Sequence, residues 1–145
     1  MNTALKKWKS IIEKSFSDLK YTIRSAIMLF SKESKVYINM HLVSTKDFDK
    51  DRLIEFSEAL PENMKLLIEH IPSDNFESFL KVFGPLCSKK FGLTFDTAHI
   101  FGAGTKIEDV IAQKKYEPSL IHLNGNLRKF GSGSDEHIGM CSDLD

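Results

Sequence analysis

Four apolar runs in this chain each close on a side chain able to ligate a metal ion. "KVYINMH" ends at His41, "MKLLIEH" carries Glu69, "FGLTFD" ends at Asp96, and "PSLIHLN" carries His122 with Asn124 two residues on. Histidine and carboxylate together suit zinc, manganese or iron, and a carboxylate can bridge two ions. Two further groups extend the set. His99 follows Asp96 on the loop leaving the third run, and Asp135 and His137 form a D-x-H pair within "GSGSDEHIG". In an extended segment, residues i and i+2 face the same side, so such a pair can grip one ion. Of the five histidines, only His70 stays outside the set. It alternates with Glu69 along its run, so Glu69 is read as facing inward and His70 as structural. Taken singly, each residue has a plain explanation: a strand-end histidine is most often hydrogen-bonded, a carboxylate often caps a helix, and Gly102 and Gly104 serve ordinary turns. The recurrence of a ligand type at four successive run ends argues for a metal site.

Something must bring those ends together. The runs are continuously apolar, as in parallel strands covered on both faces. Their midpoints, Ile38, Leu67, Phe95 and Ile121, recur about every 28 residues, the length of a βα unit with a right-handed crossover. Amphipathic helices fill the gaps at 49–60, at 73–86 with Ser73 or Asp74 as cap, and at 106–115. Upstream, residues 3–31 read as helix from Leu5, Trp8, Ile11 and Ile12, then Leu19, Ile23, Ile27 and Phe30. Asn2 or Thr3 is the expected cap, and a break is expected near Ser15–Ser17. The fold class is therefore α/β: a partial (β/α) TIM-barrel-like parallel sheet of about four βα units, preceded by N-terminal helices. We expect one domain over 1–145, with a helical segment at 1–33 and the partial barrel at 34–145. In parallel α/β folds, sites are built at the C-terminal edge of the strands, where these ligands fall.

Composition narrows the function classes. Lys plus Arg and Asp plus Glu number 20 each, so the formal charge is zero. No global basic field steers the chain onto nucleic acid, and such a function needs a local patch or a metal site. No apolar run is long enough to span a membrane. The N-terminus lacks the apolar segment of a secretory signal. Cys87 and Cys141 form no C-x-x-C motif, and the expected setting is intracellular and reducing.

These same residues carry a resemblance. "LTFDTAHIFGAG" (93–104) resembles the D-T-x-H-x-F-x-A-G signature of the endonuclease IV type of apurinic/apyrimidinic endonuclease. "IHLNGNLRKFGSGSDEHIG" resembles that family's H-x-N-D-(S/A)-K segment followed by G-S-x-x-D-R-H. "LLIEH" is similar to its E-N strand, and "YINMHLVS" to its H-P-G strand. The likeness runs from about residue 20 to 139, in matching order. It implies an eight-stranded β/α barrel with three zinc ions, which cuts double-stranded DNA 5′ to an abasic site in base-excision repair. By the resemblance, His41 is a ligand of the first zinc. Glu69 bridges the first and second, at the position that also carries the attacking water, which makes it the catalytic residue. Asp96 and His122 hold the second zinc, and His99, Asp135 and His137 hold the third. Glycines 102 and 104 would let the backbone turn tightly or let DNA come near.

The departures shape what is expected. No histidine precedes His41, where the family supplies one to the first zinc, and no counterpart of its last glutamate follows His137. H-P-G reads His41-Leu42-Val43, N-D-S-K reads Asn124-Gly125-Asn126, and the arginine of D-R-H is Glu136. The resemblance thus implies a complete third zinc set, with the first and second each one ligand short, in a chain that looks shortened at both ends. A partial barrel has open sheet edges, an association hazard unless covered by the N-terminal helices or by a second chain. Two other functions stay open: an inactive remnant of the family acting as an interaction protein, and a metal-dependent sugar isomerase or epimerase on a related barrel.

Overall fold

Strands β2 (Met64–Glu69) and β3 (Phe91–Asp96) form the centre of a parallel sheet, paired from Leu66 with Phe91 to Glu69 with Thr94. Nearly every residue of both is buried, which accounts for their continuous apolar sequence. β1 (Val36–His41) and β4 (Leu120–His122) flank them in the order β1-β2-β3-β4. The four parallel strands curl into a half-barrel, a partial TIM-barrel-like α/β fold. All this is seen in a computed structural model that describes residues 3–41 and 49–138, without the side chains of 3–13, 15 and 16. The expected cap at Asn2, the Leu42-Val43 departure and Cys141 lie outside the described residues. Among those described, no helix is long and apolar enough to cross a membrane.

The chain divides into two compact units, Met1–Val36 and Tyr37–Asp145. The first consists of α1, one unbroken helix over Thr3–Leu29. The break expected near Ser15–Ser17 is absent, because serine costs a helix interior only a few tenths of a kcal/mol.

In the second unit, α2 (Lys50–Glu58) starts at Asp49, whose carboxylate accepts from Arg52 N–H. α3 (Phe76–Phe83) buries Phe76, Phe79, Leu80 and Phe83, the i, i+3, i+4, i+7 stripe of a core-facing helix. Its cap is Asn75, which accepts from Ser78 N–H at 2.8 Å, rather than Ser73 or Asp74. Asp74 instead accepts from Asn75 N–H. A short 3-10 turn at Gly84–Leu86 follows, with Pro85 inside it. α4 (Thr97–Gly102) and α5 (Ile107–Gln113) complete the set. α4 is a correction: His99 was expected on a loop, yet it sits in a helix that begins directly at the end of β3.

His70 has the structural role read for it. It is fully buried, edge-on to Phe76 and Phe79, and its Nε2–H donates to the Asp74 carbonyl at 2.9 Å. Among the described residues Nδ1 has no partner, so a second proton there would be buried without an acceptor. Burial accordingly lowers the pKa from 6.5 to about 4. A folded value below the unfolded one means that the unfolded chain takes up the extra proton. Stability is therefore full above about pH 6.5, falls as pH drops towards 4, and loses about 3 kcal/mol in all. Urea unfolding across that range, with chelator present, checks this. In His70→Leu the pH slope should be smaller.

Candidate metal centre

The C-terminal edge of the sheet carries one potential ligand per strand. His41, Glu69, Asp96 and His122 end β1 to β4 in turn. Two carboxylates form the floor: Glu69 is 1% exposed and Asp96 0%. Taking such groups out of water costs several kcal/mol each unless a cation compensates. Among the described residues, every ion-pair partner of these two is a histidine, with no lysine or arginine at hand.

Asp96 does two jobs. Its Oδ1 caps α4, accepting from Ala98 N–H at 2.8 Å and His99 N–H at 3.1 Å. Its Oδ2 accepts from the Asn124 amide at 2.6 Å and lies 3.6 Å from His122 Nδ1. The cap is what starts α4 at once and turns His99 back over the strand ends.

His99 is fully buried, and its tautomer is set by its neighbours. The His70 carbonyl lies 2.6 Å from Nδ1 and can only accept, so Nδ1 carries the hydrogen. In the neutral ring Nε2 is then a bare lone pair. It points at His137 Nε2, 3.0 Å away, and at Asp135 Oδ1, 3.1 Å away; those two atoms lie 3.4 Å apart. Acceptors this close repel unless a proton or a metal ion lies between them. Nitrogen and oxygen ligands of a tetrahedral zinc ion are separated by about 3.3 Å. The triangle has that size, and Asp96 Oδ2 lies 3.5 Å from His137 Nε2 beside it.

A second group is Glu69, Asp96 and His122, with Glu69 Oε1 3.2 Å from His122 Nδ1. The other oxygen of Glu69, Oε2, faces His41 Nε2 at 3.0 Å. One carboxylate thus spans two histidines on opposite sides, the disposition a bridging ligand needs. His99 also approaches Glu69, through Nδ1 at 3.4 Å. That nitrogen already donates to His70, which leaves His41 and Glu69 as the donors there. Six of the seven residues expected from the sequence fall in overlapping groups, with Asp96 also beside His99 and His137, and Asp135 lies against His99 and His137.

The buried floor meets an open rim. The side chains of His41, His122, His137 and Asp135 are 49%, 37%, 41% and 52% exposed, so the rim is open to solvent.

Residues 125–138 hold the D-x-H pair in place. Gly125 and Ile138 form an antiparallel bridge across the base of this loop. Gly131 and Gly133 N–H donate to the Phe101 and Gly102 carbonyls, satisfying the end of α4. Asn126 ties the Ala98 carbonyl to that of Ser134. The loop is therefore strapped to the helix that bears His99. Gly104 adopts φ +75°, in the left-handed region. A Cβ at Gly102 would come within 2.7 Å of Pro72 Cβ. The close approach at Gly102 is therefore to the protein's own chain.

Two features were not anticipated. Asn39 donates to Glu69 Oε2, and Thr94 donates to Asn39 at 2.7 Å. The signal was available: Asn39 stands two before His41, and Thr94 two before Asp96, so each shares a face with a ligand. Cys87 carries a free thiol. Burial raises its pKa, which argues against a thiolate nucleophile at neutral pH.

Fold and site together define a β/α half-barrel with a carboxylate–histidine cluster at its strand ends. No protein-family model matches the chain, and no curated protein matches it. Among solved structures, it is similar to the crystal structure of AsfvAP:AG. The identity is 22% and the TM-score 0.50, covering 72% of this chain and 42% of that one. The chain thus spans less than half of that protein, and the likeness is one of fold alone.

Proposed function

We propose that this chain carries the zinc centre of an endonuclease IV-like phosphodiesterase, acting on abasic sites in double-stranded DNA in an intracellular setting. The single observation that carries this reading is the convergence of buried Glu69 and Asp96 with His41, His99, His122 and His137, with no lysine or arginine paired to them among the described residues. The fold likeness to AsfvAP supports it at the level of architecture. His99, Asp135 and His137 would hold one ion, and Glu69, Asp96 and His122 a second. His41 would hold a further ion with Glu69 between them. Zinc in such a cluster supplies charge stabilisation for the phosphate oxygens and a nucleophilic water at neutral pH.

The chain's own groups do the rest. Glu69 holds its two oxygens toward opposite histidines, which fixes the spacing of whatever binds there. Asn124 and the α4 amides occupy Asp96 on both oxygens, so that carboxylate keeps a single orientation. The open rim leaves a duplex backbone room to approach. The cluster also answers the absence of net positive charge, because bound ions provide the local field.

The test is incision of a duplex with one abasic site. Cutting is expected with zinc, lost with chelator and restored by zinc. It should fall on the order of a hundredfold or more in His99→Ala or Asp135→Ala. Clean zinc loading without incision would favour the inactive interaction protein. Unchanged metal content in His137→Ala would favour the isomerase-like barrel. β1 and β4 are the outer strands of the described sheet, and Ile121 and Leu123 on and after β4 are exposed. Self-association through those edges is part of the proposal.

A further inference from the structure

We propose that Asn39 is a positioning residue for Glu69, and that Thr94 in turn sets Asn39. The inference rests on the metal-site reading and deepens it. The three residues lie on adjacent strands: Asn39 on β1, Glu69 at the end of β2, and Thr94 on β3 beside Glu69 in the register. Asn39 and Thr94 form a layer just below the ligands His41 and Asp96. Thr94 is fully buried, and its hydroxyl donates to Asn39 Oδ1 at 2.7 Å. The Glu69 carboxylate, which only accepts, decides which way the amide points, and the Thr94 hydroxyl anchors the oxygen end. With Oδ1 held by the hydroxyl, Nδ2 faces Glu69 and donates to Oε2. The flipped amide would aim a carbonyl oxygen at a carboxylate.

Physically, the relay does something a cation could not. Glu69 must hold Oε1 toward His122 and Oε2 toward His41 at once. A lysine or arginine in the same place would orient it and also neutralise it. Asn39 orients it with a neutral donor, so the full carboxylate charge stays available to an ion. Outer partners of this kind typically change metal affinity by 10- to 100-fold.

The experiment is a zinc titration of the full chain against a competing chromophoric chelator. Asn39→Leu and Thr94→Val should each weaken the zinc that depends on Glu69, by roughly 10- to 100-fold for Asn39→Leu. The ion at His99, Asp135 and His137 should keep its wild-type affinity. Thr94→Ser, which retains the hydroxyl, should restore binding to near wild type. If Asn39→Leu loses its circular-dichroism signal, Thr94→Val and Thr94→Ser decide the matter. Wild-type affinities in both disrupting variants would overturn the inference while leaving the metal reading intact. Equal loss of every ion would also overturn it, since that marks general disruption. A wild-type chain that takes up no zinc would sink the metal reading and this inference with it.

Discussion

Glu69→Gln is expected to cut abasic-site incision by on the order of a thousandfold, yet leave the metal-free protein no less stable. The first half follows from the position of Glu69. It is the carboxylate that reaches both His41 and His122. Glutamine keeps the shape but removes the charge, and it turns one of the two oxygens into a donor. Losing several kcal/mol of charge stabilisation in the transition state corresponds to that rate loss. The second half follows from burial. Glu69 and Asp96 belong to one group whose ligand atoms lie within 4.8 Å of one another. Without an ion, two buried carboxylates at that range repel and are poorly solvated, so neutralising one relieves the other. Incision assays and thermal unfolding in chelator read the two effects separately. A large loss of stability in chelator would mean that Glu69 is structural first.

Asp96→Ala should behave differently, with loss of zinc and a folding cost of about 2 kcal/mol. Here the carboxylate is also a structural part. Removing it uncaps α4 at Ala98 and His99 and strands the Asn124 amide. Loss of a cap costs about 1 kcal/mol, and a stranded donor on half-buried Asn124 adds about as much again. Asp96→Asn separates the two jobs. Asparagine caps a helix as well as aspartate does, so α4 should persist. Its amide nitrogen would then face that of Asn124, donor to donor, and zinc should still be lost. Denaturant unfolding in chelator should rank wild type above Asp96→Asn, and Asp96→Asn above Asp96→Ala. Equal stability of wild type and Asp96→Ala would contradict the dual role.

Much of this site was legible because it obeys the period of a strand. β1, β2 and β3 are largely apolar runs, and each ends on a residue able to ligate a metal. Their ends at His41, Glu69 and Asp96 therefore stood out in the sequence. The pair at Asp135 and His137 was legible for the same reason, through its i, i+2 spacing. The less legible parts are local contests that spacing does not decide. α4 is six residues long and ends at Gly102, too short for a helical stripe to register. It exists because Asp96 caps it, which becomes visible only once the end of β3 is placed. Ser73, Asp74 and Asn75 are all good caps, and Asn75 prevails because Asp74 is turned to accept from the Asn75 N–H. β4 reduces to Leu120–His122, since Asn124 leaves the ladder to bind Asp96 and Thr97. Asn39 went unremarked because asparagine on a strand carries no metal-binding signal by itself. Its meaning lies in Thr94, 55 positions away.

The central claim is that these side chains form a centre for divalent metal. Its most direct test is the zinc content of protein purified without chelator, measured per chain by atomic spectroscopy. The account predicts more than one zinc per chain, falling by one in His137→Ala and further in Glu69→Gln. Fewer than one zinc per chain, unchanged by either substitution, would contradict it.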